Sequence, residues 1–128
     1  MIEKAIFARL SAVAGLTALV STRIYNEVIA QGSAYPCLAF TTISTERFPA
    51  MGANIALAKS RVQVNCYGAT KLSASDVAVQ VRAALSRWSG TAGGVVVQSI
   101  FDETQTSDYD DAIQKHRVIV EFMAWHEE

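Results

Sequence analysis

Carboxylates, imidazoles and thiols are the side chains with which a chain of this size could do chemistry. Asp102, Glu103, Asp108, Asp110 and Asp111 crowd one polar stretch, "DETQTSDYDDAIQK". Hard divalent cations favour such oxygens. The stretch lacks the alternating acids and central glycine of a calcium loop, so it reads as a solvated hairpin loop. His116 and His126 flank an apolar run, and their spacing forms neither the i, i+4 pair of a zinc protease nor a finger with nearby cysteines. Both read as surface or strand-end histidines. Cys37 and Cys66 have no neighbouring histidine in sequence and no nucleophile-elbow glycines, which makes them inert buried thiols. "GTAGG", residues 90–94, follows a helix and precedes a strand, the reverse of a phosphate cradle, and reads as a turn. No acid, base and nucleophile set emerges, so the expectation is a non-catalytic chain with no cofactor and no metal.

The elements that carry these residues follow from hydrophobic spacing. Ile2, Ile6, Leu10 and Val13 recur along one side of a helix, with Phe7 beside them. Gly15 is expected to end or interrupt it, before Leu16, Leu19 and Val20 make a second short turn. Residues 37–45 read as a strand with Leu38, Phe40 and Thr42 on one side, opened by Pro36. "KSRVQVNCYG" alternates with unusual regularity, placing Val62, Val64 and Cys66 on one face and Arg61, Gln63, Asn65 and Tyr67 on the other. Pairing the two strands continues the Leu38 and Phe40 face, so Cys37 points away from Cys66 and no disulfide is expected. Between them, "ERFPAMGANIALA" is too long for a tight turn and holds Phe48, Met51, Ile55 and Leu57, four apolar residues that a solvated loop does not need.

Ser73 with Asp76 three residues on matches a capping box, followed by a stripe of Val77, Val81, Leu85 and Trp88 and a stop at Gly90. A second helix over residues 73–88 follows. "GGVVVQSIF" and "HRVIVEFMAWH" read as two further strands joined by the acidic loop. The expected architecture is α+β: a four-stranded antiparallel sheet with two helices on one face, in the order α-β-β-α-β-β. A long hairpin arm separates the first two strands, and residues 1–128 make a single domain.

Bulk composition narrows the function. Of the 128 residues, 51% are hydrophobic and only 18% charged, against roughly 25% charged in an average soluble domain. Mean hydropathy is +0.21. That surplus suggests a second buried surface, a subunit interface. Eleven basic and twelve acidic side chains nearly cancel, so the counterion release that drives non-specific nucleic-acid binding is missing. "RVQVNCYG", with Tyr67 and Trp125 as the aromatics in reach, is no RNA-recognition signature. The uncharged run at residues 10–22 is too short for a membrane span, and the first residues lack the order of a signal peptide. The expectation is a soluble intracellular protein that makes no membrane contact. A small ligand-binding or regulatory α+β module is the alternative, and would need a concave apolar pocket.

Several segments together resemble the tail completion family of tailed bacteriophages and gene transfer agents, which includes tail terminator, or tail-to-head joining, proteins. They are "AIFARLSA", "RIY" then "YPCLAF", "RVQVNCYGAT", "VRAAL", "SDYD" and "HRVIVEFMAWH", and the likeness lies in their order and spacing over almost the whole chain. The resemblance implies a structural virion protein, assembled in the host cytoplasm, that caps the tail tube, stops its polymerisation and joins it to the head. Its implied partners are copies of itself in a ring, commonly of six, the tail tube protein and the head connector or stopper. DNA would pass through without sequence-specific binding. Tyr25, Pro36, Arg61, Tyr67, Arg117, Phe122 and Trp125 match the recurrent pattern, and each also has a role in folding. Phe48, Met51, Ile55 and Leu57 are the candidate contacts to a subunit or the tube. Asp108, Asp110 and Asp111 are a second candidate, lining a channel or an interface, where like charge would keep DNA from sticking.

Overall fold

The backbone of Val13 leaves the helical region (φ −90°, ψ 113°) and splits the N-terminal segment into α1 (Ile2–Ala12) and α2 (Ala14–Val20). The protein is seen in a computed structural model that describes residues 2–29, 32–48 and 57–127. The break falls at Val13 rather than Gly15, which sits inside the first turn of α2. The Val13 carbonyl accepts from the amides of Leu16 and Thr17, which restarts the helix in a new direction. Arg23 then donates from Nη2 to the Leu19 carbonyl and from Nε to that of Pro36, tying the end of α2 to the start of the sheet.

Among the described residues the chain continues as β1 (Ile24–Asn26), β2 (Cys37–Phe48), β3 (Leu57–Gly68), α3 (Lys71–Leu85), β4 (Gly90–Ala92), β5 (Val95–Asp110) and β6 (Lys115–Glu127). The six strands form one sheet in the order β1-β2-β3-β6-β5-β4. This corrects the expected four-stranded, two-helix α-β-β-α-β-β arrangement: the described residues form six strands and three helices, and β1 runs parallel to β2. The added strands, β1 and β4, are three residues each, too short to display an alternation. They are recruited by their neighbours' free edges.

The β2–β3 pairing follows the expected register, with Leu38 opposite Cys66 and Phe40 opposite Val64. A bulge at Ile43 then shifts β2 by one residue. Leu38, Phe40, Val62, Val64, Val118, Val120 and Phe122 present one continuous apolar face. Ile6, Leu10, Leu16, Val77, Val81 and Leu85 of the three helices cover it. Both thiols are free and buried: Cys66 belongs to this core, and Cys37, one position from Leu38, lies on the opposite face. Burial pushes both thiols up from their ordinary value, so they stay protonated.

Helix α3 is capped by Thr70, whose hydroxyl accepts from the Ser73 amide at 3.1 Å, so Ser73 is its third residue and not its cap. It ends at Leu85, before Trp88. Arg9 of α1 donates to the Ala84 carbonyl and lies over the Trp88 ring at 5.2 Å, closing α1 against the end of α3. At the other end, a Cβ on Gly68 would stand 2.6 Å from the Ala74 amide nitrogen, so the junction of β3 and α3 admits only glycine. "GTAGG" divides into β4 and a two-residue turn in which Gly93 and Gly94 both take positive φ.

The largest departure concerns the acidic stretch. Residues 102–110, expected as loop, continue β5 and pair with β6 through Asp110 opposite Lys115, leaving only a short turn between the strands. Threonine and tyrosine suit an extended backbone even where the composition is polar. His126 stands at the end of β6, as the strand-end reading has it, but is fully buried on the core side rather than at the surface.

Candidate assembly interface

All three helices pack on one face of the sheet; on the other, among the described residues, Cys37, Ala39 and Tyr67 are buried at the end where Glu27, Val28 and Tyr35 lie beside them, and no helix covers the remainder. That outer face carries every second residue of the central strands, and it divides into two zones along their length.

At the end nearest the hairpin arm the zone is apolar. Phe48 and Leu57 pair opposite each other where β2 and β3 meet the arm. Phe48 stacks on Trp125 with ring centroids 5.7 Å apart and an interplanar angle of 23°. Lys59 reaches over the same indole, with its Nζ 5.4 Å from the ring centroid, so the ring contacts both an aromatic and a cation. Ile43, at the β2 bulge, and Phe101 of β5 stand about half exposed (51% and 50%) on their strands. Of the arm candidates, Phe48 and Leu57 therefore lie in strands at the base of the arm, whereas Met51 and Ile55 lie outside the described residues.

Toward the opposite end the zone is polar and paired. Arg61 meets Glu121 at 3.4 Å, and Thr104 donates to the same carboxylate at 2.9 Å. Arg117 donates from Nε to Asp108 Oδ1 at 2.9 Å and from Nη2 to Oδ2, a two-pronged pair. These bonds hold the Asp108 carboxyl below its usual range, and they raise the guanidinium in turn. Asp110 accepts from the Ala112 amide and shapes the β5–β6 turn; Asp111 is exposed in that turn. The three acids sit within one strand end and its turn, but their surroundings differ. Beside them Glu27, Val28, Tyr35, Tyr67, Asp110 and Ile113 border an open cleft of about 410 Å³.

On the core side, where His126 is buried, its Nδ1 lies 3.2 Å from the Glu127 carbonyl oxygen, Nε2 shares a hydrogen bond with Ser60 Oγ at 2.8 Å, and Ser60 Oγ shares one with Thr45 Oγ1 at 3.0 Å. A serine beside a histidine suggests a nucleophile, yet both are fully buried between β2, β3 and β6. The relay ties three strands together below the arm. Its signal in the sequence was the parity of His126 with Val118, Val120, Phe122 and Ala124 on β6.

The residues singled out by the resemblance are spread through the frame. Phe122 is core, Tyr67 is buried on the outer face, and Trp125 forms the stack. Arg61 and Arg117 each make an ion pair on the outer face. Tyr25 shares a hydrogen bond with Ser33, and Pro36 accepts from Arg23. Sequence reasoning did not single out Ile43, Lys59 or Phe101 as contact residues, although alternation already puts Ile43 on the side of β2 opposite Leu38, Phe40 and Thr42.

The sheet face that no helix covers, with Ile43, Phe48 and Phe101 exposed along it, is a surface suited to a partner. The profile of the family described as Tail completion protein gp17 matches residues 4–127, and the chain belongs to that family. Its fold is similar to that of a chain in the virion of a native gene transfer agent particle, with a TM-score of 0.74 at 19% identity, covering 97% of this chain and 92% of that one. A second solved chain, without a descriptive name, matches with a TM-score of 0.58 at 20% identity over 99% of this chain and 93% of its own. No curated protein matches the sequence. The protein is accordingly a structural component that completes a phage-type tail, not an enzyme. It resides in the virion at the junction of tail and head, in contact with components of both.

Proposed function

We propose that this chain is the tail terminator: it caps the finished tube, stops its polymerisation, and presents the docking surface for the head connector or stopper. It acts as a ring of six copies. DNA passes through the ring without sequence-specific contact, in keeping with a net charge of −1. The observation that carries the reading is the family match over nearly the whole chain. The exposed Ile43, Phe48 and Phe101 on the face that no helix covers support it, because a free monomer gains nothing from exposing such side chains.

In this reading Phe48, Met51, Ile55 and Leu57 bury against the neighbouring copy or the tube, continuing the Phe48–Trp125 stack across the junction. Asp108, Asp110 and Asp111 face the channel or the adjacent subunit and keep the rim acidic. The test is electron microscopy of particles produced with the gene deleted. Over-long tails with unattached heads are expected; particles of normal length and attachment would overturn the reading.

A further inference from the structure

The two borders of the sheet are only partly paired. β1 accompanies β2 at Leu38, Ala39 and Phe40, and β4 accompanies β5 at Val95, Val96 and Val97. The Ile100 carbonyl is taken by the Arg87 amide. Among the described residues no strand pairs with the outward edge of β2 over residues 41–48, nor with that of β5 over residues 101–110. The free β5 edge extends for about 34 Å. Neither stretch contains a lysine or a proline; the guards each does have are one bulge near its start and a few charged side chains, and beyond the bulge the backbone edge runs on regularly. Each carries two of the protein's exposed large apolar side chains: Ile43 and Phe48 on β2, Phe101 and Tyr109 on β5.

We infer that the free edge of β5 in one copy pairs with the free edge of β2 in the next, head to tail, so that one sheet runs on from subunit to subunit. Three observations select a second copy as occupant, and this pairing over others. Strand direction is the first. β2, β3, β6 and β5 alternate antiparallel, so β5 runs opposite to β2, and a copy placed alongside continues the alternation without a reversal. Charge is the second. Of the acids in residues 101–110, Asp102 and Asp108 pair with Arg82 and Arg117, which leaves Glu103 and Asp110 to oppose one another if two β5 edges meet, whereas the β2 stretch, with Glu46 and Arg47, is neutral. Regularity is the third: beyond the bulges at residues 43 and 103 both strands run without interruption to their ends. A pairing of two different edges is heterologous, and repeated rotation about one axis closes it into a ring. The free stretches lie toward opposite ends of the sheet, so each copy steps along the strand direction and the strands run oblique to the ring axis.

This pairing rests on the ring reading above and specifies how the ring is built. The test is disulfide trapping in the full-length protein assembled on particles. Ser44→Cys on the outer face of β2 is combined in turn with Thr104→Cys, Thr106→Cys or Asp108→Cys on the outer face of β5, to sample register. Cys37 and Cys66 are buried and do not compete. In at least one combination, oxidation is expected to yield a ladder of covalent multimers ending at the closed ring, while each single variant stays monomeric on a denaturing gel. Self-linking of Thr106→Cys alone, or cross-linking of Ser44→Cys to the tube protein, would overturn the pairing. So would rings visible by microscopy with no cross-link in any register; that outcome leaves the ring reading standing. Absence of rings in every preparation would remove both.

Discussion

Asp108 and Arg117 sit at the polar end of the outer face, and their two-pronged bond is the best-formed ion pair among the described residues. The guanidinium holds the carboxyl below its ordinary value, so the pair stabilises the folded state above the unfolded carboxyl range, near 3.9, and that contribution disappears as pH falls through the depressed folded value. Both side chains are partly exposed, which limits the pair to about 1 kcal/mol or less. Asp108→Asn should therefore lower the urea midpoint slightly at neutral pH, and the difference from wild type should shrink as pH drops below about 4. Urea titrations across that range check it; a gap that stays constant would show that lost packing, not charge, is responsible. Ser60 and His126 show the complementary case. Neither residue type announces burial, and only the neighbouring strands of a sheet bring the partners that make it affordable.

Element boundaries follow capping geometry more closely than capping patterns. Thr70 is extended (φ −125°, ψ 160°) and accepts from the Ser73 amide, whereas Ser73 itself lies within α3. Thr70→Ala should cost about 1 kcal/mol, while Ser73→Ala should change stability by a few tenths at most. Thermal midpoints of the two variants decide between the positions; the reverse order would restore the Ser73 cap. Elsewhere, the helix break at Val13 and the extension of β5 through residues 102–110 have one cause in common. Each is imposed by what the segment packs or pairs against, and local composition pointed another way in both cases. β3 was legible because it is half-buried along its whole length, so every position reports its face.

On the scale of the whole molecule, a chain that is 51% hydrophobic leaves Ile43, Phe48 and Phe101 exposed and, among the described residues, two strand borders partly unpaired. Such surfaces are tolerated in a subunit whose working state is an assembly. Replacing Phe48 and Ile55 with Ser should weaken assembly strongly while the monomer remains folded, since Phe48 lies outside the helix-covered core. Sedimentation together with circular dichroism checks both halves, and a variant that unfolds would place the arm in the fold rather than at an interface. The sequence by itself determined the α+β class, the core face of β2 and β3, the opposed thiols and the family, because alternation over long half-buried strands and the order of segments are local, additive signals. Only the tertiary structure decided the strand count, the buried Thr45–Ser60–His126 relay and the unpaired borders. Short edge strands and polar strands carry no periodic signature of their own, and exist where a neighbouring backbone offers hydrogen bonds that water would otherwise supply.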